Sequence, residues 1–250
     1  MNFIYGLHSV EALLKNNPEQ VEVVYIDSQR QDKRVVQLIE LLDTAAIKYE
    51  HVGKSLLDKK AAGVNHQGIV AIIAHKSASL LPQISLKDFL KEKSANDSSV
   101  IIVLDGITDP HNLGAIIRTC DCFGVDAVIV PKDNSASVNA TVAKTSAGAV
   151  NYIPVIVVNN LARTLEELKE HNYWIAGTTL AENSVELFDF VPDKKIVWVM
   201  GSEDKGIRRL VAENCDYLIS IPMEGSTQSL NVSVAAGVVL SYTKYVKKKN

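Results

Sequence analysis

Cysteine is scarce, and its few positions do not form a metal-binding pattern. The 250 residues include Cys120, Cys122 and Cys215 and no other cysteine. Three thiols cannot build a disulfide framework, and their spacing matches no zinc motif. We therefore expect buried, apolar thiols in a reducing compartment and no metal site.

Long hydrophobic runs are absent as well. No stretch approaches the roughly 20 apolar residues that cross a bilayer. The start, MNFIYG, lacks the basic segment and apolar run of a secretory signal. With 47% hydrophobic and 22% charged residues, the composition is typical of a globular protein in water. The predicted location is the cytoplasm, with no membrane association.

Positive charge is not in excess, since 26 Lys and Arg face 29 Asp and Glu for a net charge of −3. Nucleic-acid-binding proteins often carry a basic domain, so composition alone argues against that class. Two local clusters are the candidates for phosphate contacts: Lys205, Arg208 and Arg209, and Lys54, Lys59 and Lys60. Both clusters are equally typical of solvated helix faces.

The first 75 residues have the pattern of a small α/β unit. Apolar runs predict strands at 21–26, 47–52 and 68–74, and apolar spacing of three and four predicts helices near 35–42 and 56–63. Residues 76–97 change in character, with serine-rich pieces around a short amphipathic segment. This composition predicts a linker between two domains.

From residue 98 onward, strands and helices alternate. The predicted strands are 100–104, 126–130, 153–157, 173–178, 196–200 and 217–221, and the main predicted helices are 112–123, 161–171, 206–214 and 231–245. Alternation of this kind predicts a mostly parallel sheet with helices on both faces. The closing Lys247-Lys248-Lys249-Asn250 is predicted to be a frayed tail.

A glycine-rich dinucleotide-binding turn is missing after the first of these strands. That strand ends in Asp105-Gly106-Ile107-Thr108-Asp109-Pro110, which lacks the Gly-x-Gly-x-x-Gly spacing. The absence excludes the dinucleotide site of a Rossmann fold.

Three polar or glycine-bearing segments follow apolar strands. They are DPHNLG at 109–114 with Arg118 and Thr119 after it, GSEDKG at 201–206, and IPM at 221–223 followed by SLNVS at 229–233. Ligands of open parallel sheets bind outside the carboxyl ends of the strands. We therefore expect the three segments to form one composite site, in which Ser229 and Asn231 also suit a helix N-cap.

In this order, the three segments resemble the motifs of the SPOUT-class (SpoU/TrmH) RNA 2′-O-ribose methyltransferases. They are similar to the family's Asn-x-Gly…Arg-Thr, Gly-x-Glu…Gly and Ile-Pro-Met…Ser-Leu-Asn-Val-Ser motifs, with Asp204 standing where related sequences often have glycine. At the front of the chain, YGLHSV at 5–10 and HQGIVA at 66–71 look like the RNA-binding domain of one branch. That branch methylates a guanosine in 23S ribosomal RNA.

The resemblance implies a fold, a cofactor and partners. It implies an RNA-binding domain at 1–75, ribosomal-protein-L30e-like in fold, a linker at 76–97, and a methyltransferase domain at 98–250 with a deep trefoil knot. The implied cofactor is S-adenosyl-L-methionine, the implied substrate is 23S ribosomal RNA, and the implied assembly is a homodimer.

The resemblance also implies the catalytic residues, Arg118, Asn112, Glu203, Ser229 and Asn231. The matching arginine is the family's proposed general base. Because a guanidinium stays protonated in proteins, holding a phosphate or stabilising the developing alkoxide is physically easier. Glu203 is expected to anchor Arg118 or to accept from the nucleotide, and Ser229 and Asn231 are expected to position the ribose and the arginine. The plainer alternatives are an exposed helix arginine, a helix N-cap for Asn112 and a solvated loop glutamate.

For the cofactor, the resemblance favours Gly201, Ile221 and Leu230. Apolar side chains suit the walls of an adenine pocket, and Met223 joins Ile221 and Leu230 in that role. Gly201 permits close backbone approach. Two further candidates at the same sheet edge are Thr178 and Thr179. Met223 as simple core filler is the alternative.

Two other functions stay open. The same chemistry on transfer RNA keeps every motif, although the N-terminal domain favours ribosomal RNA. A non-catalytic RNA-binding protein of ribosome assembly is a different class. The retention of all five catalytic candidates argues against the latter, because a binding module does not need them.

Overall fold

The structure, a computed structural model, describes residues 2–16, 18–61, 64–73, 84–181, 183–227 and 229–249. Four predicted features lie outside these ranges: the strand end at Ala74, the helix end at Gly63, the first part of the linker (76–83) and Asn250 of the predicted tail. The chain divides into two compact units. Unit 1 comprises 1–82 and 138–152, and unit 2 comprises 83–137 and 153–250.

The strands are β1 Asn2–Tyr5, β2 Val21–Asp27, β3 Lys48–Val52, β4 Ile69–Ile73, β5 Ser99–Asp105, β6 Ala127–Pro131, β7 Val155–Val158, β8 Trp174–Thr178, β9 Val185–Glu186, β10 Lys195–Gly201 and β11 Tyr217–Ser220. The α-helices are α1 Leu7–Asn16, α2 Lys33–Thr44, α3 Lys54–Ala61, α4 Leu86–Lys93, α5 Pro110–Phe123, α6 Ala140–Thr145, α7 Leu161–Glu170, α8 Arg209–Ala212 and α9 Val232–Lys249.

Unit 1 contains a mixed sheet of four strands in the order β1-β4-β2-β3. β4 pairs antiparallel with β1 and β2, and β2 pairs parallel with β3. Its core includes Leu13 of α1 and Leu38 and Leu42 of α2, all fully buried. Helix α6 belongs to this unit, where Ser9 donates a hydrogen bond to the carbonyl of Ala143 at 3.3 Å. The predicted small α/β unit is therefore observed, and β1, α1 and α6 are elements that the pattern did not predict.

Unit 2 contains a sheet of seven strands, all parallel, in the order β7-β6-β5-β10-β8-β11-β9. Side chains alternate across it: Val197 and Val199 pack with Leu165 of α7 on one face. Between them, Trp198 faces the other side, where its indole N–H donates to Thr243 of α9 at 2.9 Å. The predicted parallel sheet with helices on both faces is confirmed.

Two predicted helix ends are wrong. The helix expected at 206–214 is the short α8, because the backbone N–H and guanidinium of Arg208 are held by Asp105 and the preceding residues stay in a loop. Lys247, Lys248 and Lys249 of the expected frayed tail form the last turn of α9, where the Lys247 ammonium donates to the carbonyl of Lys194. No helix in the described part of the chain is both long and apolar enough to span a bilayer.

Candidate active site

Three of the predicted catalytic residues meet in one hydrogen-bonded cluster, the polar node, made of Asn112, Glu203 and Asn231. The Asn231 amide donates to Glu203 Oε1 at 2.6 Å and to Asn112 Oδ1 at 3.0 Å. The Asn112 amide donates to the same Glu203 oxygen at 3.2 Å. The node therefore joins the three sequence segments, as their order after the strands predicted.

Asn112 enters the node from the first turn of α5. Asp109 is the N-cap of this helix, since its side chain accepts from the backbone N–H of His111 at 2.8 Å, and Pro110 occupies the first helical position. The alternative of Asn112 as the N-cap is therefore wrong. Asn112 lies in the first turn of α5, after the N-cap, and its side-chain amide bonds to Glu203 and Asn231 in the node.

Asn231 enters from the start of α9. Its Oδ1 accepts from the backbone N–H of Ser233 at 3.0 Å and from the Ser233 hydroxyl at 2.6 Å, so it caps the helix. The Val232 backbone N–H donates to Glu203 at 3.2 Å. A carboxylate at a helix N-terminus is favoured by the helix dipole. Capping and node formation are thus both carried by Asn231.

Glu203 is presented by a tight turn at the end of β10. The backbones of Ser202 and Gly206 exchange two hydrogen bonds of 3.2 and 2.8 Å across the turn. A Cβ on Gly201 would lie 2.1 Å from the carbonyl carbon of Gly206. Only glycine fits there, because backbone atoms rather than a flexible side chain block the space.

An ion pair between a buried aspartate and an exposed arginine ties this turn to the neighbouring strand. The Asp105 carboxylate is fully buried and accepts from the Arg208 Nε at 2.7 Å and from the Arg208 backbone N–H at 2.8 Å. This pair was not predicted, and Arg208 was considered only for phosphate contacts or a solvated face. The signal available in the sequence was an acid at the end of a continuous apolar strand.

Arg118 lies apart from the node's hydrogen bonds. Ile116 and Ile117 are fully buried, whereas the Arg118 side chain is exposed. Among the described residues it makes no hydrogen bond or ion pair, and Glu203 bonds the two asparagines instead. The expected Glu203–Arg118 contact is therefore not observed.

A cleft of about 420 Å³ opens beside the node at the carboxyl ends of β8, β10 and β11. The predicted cofactor residues all line it, namely Gly201, Ile221, Leu230, Met223, Thr178 and Thr179. Glu203 and Ser229 line it too. Met223 is 37% exposed, so the core-filler alternative is wrong.

Several residues of the cleft wall were missed. They are mainly apolar, and include Ile207, Ala212, Leu218, Ile219, Val232 and Ala235. Leu218 and Ile219 belong to the continuous apolar run of β11, and Val232 and Ala235 lie three residues apart in α9. Both patterns are typical of core residues, and neither separates an apolar residue that faces the cleft from one that faces the sheet.

The thiols do not take part in chemistry at this site. Burial raises the pKa of Cys215 to about 12 and that of Cys120 further still, so both stay protonated. Cys122 is exposed, and the expectation of burial is wrong for it, because it lies two positions from Cys120 on α5 and faces another way. The described residues contain no group of three or more His, Cys, Asp or Glu placed to hold a metal ion.

The chain has an α/β fold with a cleft at the carboxyl ends of parallel strands, next to a polar node, which is the place where α/β proteins of this class bind their ligands. A family model described as SpoU rRNA Methylase matches residues 99–241, and one described as RNA 2′-O ribose methyltransferase substrate binding matches residues 3–78. The chain belongs to the SpoU rRNA methylase family. The resemblance deduced from the motifs is confirmed.

Curated relatives match along nearly the whole chain. The 23S rRNA (guanosine-2′-O-)-methyltransferase RlmB of Haemophilus ducreyi is 47% identical, over 95% of this chain and 94% of its own. The protein of the same name from Escherichia coli K12 is 45% identical over 95% of both chains. The crystal structure of the SpoU methyltransferase AviRb from Streptomyces viridochromogenes, in complex with AdoMet, aligns with a TM-score of 0.79 at 21% identity, over 99% of this chain and 91% of that one.

Gly201→Ala is expected to destabilise the fold and to close the cleft. The added methyl would overlap the backbone at residues 206 and 207, and overpacking of this kind costs about 1–3 kcal/mol. The free energy of unfolding in urea measures the effect. Gly225→Ala is the matched control, because a Cβ there meets nothing within 4 Å. Equal stability of the two variants would contradict the geometry of the turn.

Proposed function

We propose that this protein transfers a methyl group from S-adenosyl-L-methionine to the ribose 2′-hydroxyl of a guanosine in 23S ribosomal RNA. The observation that carries the proposal is the continuity of cleft and node, because Glu203 both lines the cleft and joins Asn112 and Asn231. Family membership and the similarity to RlmB proteins over 95% of the chain support the same substrate.

The cleft suits the cofactor in size and in chemistry. Its volume of about 420 Å³ falls within the usual range of small-molecule sites. Ile221, Leu230 and Met223 offer apolar walls, and Gly201 brings the backbone to the surface of the cleft. Thr178 and Thr179 add polar groups at the end of β8. The cofactor, when bound, supplies an electrophilic methyl group on a sulfonium sulfur.

The chain's own task is to position the ribose and to help its hydroxyl lose a proton. Arg118 lies six residues after Asn112 on α5 and carries donors that no described residue engages. A guanidinium suits either an RNA phosphate or the developing alkoxide. We assign it the stabilisation of the 2′-oxygen, with the proton leaving to phosphate or water.

The polar node fixes the surroundings of that step. Glu203 accepts from two side chains and from the Val232 backbone, so the ends of α5 and α9 are held at fixed distances. Ser229 lines the cleft close in sequence to Asn231, and we assign it contact with the target nucleotide. Preorganisation of this kind accelerates reactions by positioning.

The N-terminal part is proposed to bind the RNA. Residues 1–75 act as the substrate-binding domain, with a ribosomal-protein-L30e-like fold, and 76–97 as the linker to a methyltransferase domain at 98–250. The match of residues 3–78 to a substrate-binding model supports this division. It also disfavours the transfer RNA alternative: a solved TrmH/SpoU tRNA modifying enzyme from A. aeolicus covers only 66% of this chain. Action on ribosomal RNA implies a cytoplasmic location.

The proposal includes the family's knot and dimer. β10 lies between β5 and β8, and β11 lies between β8 and β9, so late strands are inserted among earlier ones. This order supports a deep trefoil knot in unit 2. Exposed apolar side chains on α9, Val234 at 52% and Tyr245 at 57%, support a homodimer that covers them.

Binding of the cofactor to the full chain tests the assignment. S-adenosylmethionine is expected to raise the thermal midpoint, since a ligand that binds only the folded state stabilises it. Leu230→Lys should abolish the shift, because a lysine side chain would enter the apolar wall. Leu210→Lys is the control, since Leu210 is 59% exposed and does not line the cleft. No shift for the unmodified protein at saturating ligand would reject the cofactor.

A further inference from the structure

A second cleft, of about 500 Å³, lies in unit 2 at the opposite end of the sheet from the first. Its wall is formed by the amino end of β5, the residues that follow α5, and the last turns of α9. Its charged lining residues are Asp126, Lys244, Lys247 and Lys248. No step of the proposed methyl transfer uses them.

Lys247 is an anchored, half-buried cation. Its ammonium donates to the carbonyl of Lys194 at 2.5 Å and to the Ser98 hydroxyl at 3.1 Å. No carboxylate in the described part of the chain lies within ion-pair distance of it. Burial lowers the pKa of Lys247 to about 8. Asp126 and Asp193 oppose that lowering through space without bonding the ammonium, and a bound anion would offset the desolvation cost that remains.

The acid in the cleft is already engaged. Asp126 Oδ1 pairs with the Lys93 ammonium at 2.7 Å. Its Oδ2 accepts from the Ser99 hydroxyl at 2.8 Å and from the Val100 backbone at 3.0 Å. Lys93 therefore balances Asp126, and the three lysines of α9 give the cleft a net positive charge.

The other two lysines have donors to spare. Lys244 and Lys248 are exposed and make no hydrogen bond or ion pair with the described residues. Positions 244, 247 and 248 are three and four apart, so they share one face of α9. The Lys244 ammonium lies beside the end of α5, 3.7 Å from where a Cβ on Gly124 would be.

We propose that this second cleft binds a phosphate group. The three ammonium groups of Lys244, Lys247 and Lys248 are hydrogen-bond donors, and phosphate oxygens accept charge-assisted hydrogen bonds. Lysine binds phosphate as a compact point charge, which suits a cleft without arginine. The phosphate comes either from the backbone of an RNA strand, a source that rests on the proposed function, or from a free phosphate anion.

Two probes separate the sources: inorganic pyrophosphate, followed by calorimetry, and a short oligoadenylate, followed by fluorescence anisotropy. Lys247→Gln and Lys244→Gln in the full chain are each expected to weaken binding by about tenfold. Arg163→Gln is the control of equal charge change, because Arg163 is exposed on α7 and outside both clefts. If the lysine variants lose affinity for the oligoadenylate alone, the phosphate that binds in the cleft belongs to RNA. If they lose affinity for pyrophosphate, the cleft binds a free anion.

The proposal is overturned if neither probe binds the unmodified protein, or if both lysine variants bind as Arg163→Gln does. Lys244→Gln guards against local unfolding, since Lys244 has no hydrogen bond or ion pair to lose among the described residues, whereas Lys247 anchors the end of α9. Affinity for S-adenosylmethionine, measured on the same variants, should not change. A protein that binds pyrophosphate through these lysines and fails to bind the cofactor would reject the proposed function and leave this site standing.

Discussion

Replacing Arg118 by alanine is expected to lower the rate of methyl transfer by about a hundredfold or more, the scale of a group that acts in the transition state. The change removes a positive charge and five donors. The polar node and the cleft are left in place, because Arg118 bonds to none of their described residues. Single-turnover rates with RNA and cofactor both saturating measure the effect.

Two further variants serve as controls for Arg118→Ala. Arg118→Lys should rescue poorly, since a point charge does not reproduce the planar fork of a guanidinium. Arg163→Ala removes another exposed helix arginine of unit 2 and should leave the rate within about twofold, as surface changes usually do. Affinity for the cofactor should be the same in all three. A normal rate in Arg118→Ala would mean that Arg118 is a surface arginine.

Glu203→Ala is expected to lower the rate by about tenfold to a hundredfold, since charge-assisted hydrogen bonds contribute more than neutral ones. Glu203 Oε1 accepts from Asn112, Asn231 and the Val232 backbone, so its loss frees the starts of α5 and α9. The turnover rate should fall more than the affinity for RNA, because positioning rather than contact is lost.

Asp204→Ala is the matched control for Glu203. Asp204 is the next acid in the same turn, is exposed and lines the same cleft as Glu203, but makes no hydrogen bond with the described residues. Its removal should change the rate little, whereas Glu203→Ala should also unfold at a lower urea concentration, because it loses three hydrogen bonds. If Asp204→Ala slows the reaction as much as Glu203→Ala does, the loss of rate is caused by the lost negative charge in the turn and not by the lost hydrogen bonds of the node.

Much of unit 2 could be predicted because its strands are continuous apolar runs and its site residues follow them. The buried strand β5 and the residues after it are an example. The carboxyl ends of parallel strands lie at the same edge of a sheet, so Asn112, which follows β5, was expected near Gly201 and Asn231. Helix bounds were harder. Arg208 looked helical by spacing, and a tertiary bond to Asp105 keeps it out of the helix.

Other features have no local signal in the sequence. The segment 138–152 lies between strands of unit 2 in the chain, yet it is part of unit 1. Its apolar residues, such as Val142 and Ala143, are buried by elements that lie far away in sequence. Lys247 looked like part of a frayed tail because its acceptors, Ser98 and Lys194, are distant along the chain. The pattern of apolar and polar residues in a single sequence does not show which distant residues will be in contact.

The most direct test of the proposed function is a map of ribose methylation in 23S ribosomal RNA and transfer RNA, from cells with and without this protein. The account predicts that a single guanosine of 23S ribosomal RNA loses its 2′-O-methyl group without the protein, and that the purified chain with S-adenosylmethionine restores it. An Arg118→Ala chain should fail to restore it. Loss of a methyl group from transfer RNA alone, or no change in either RNA, would contradict the account.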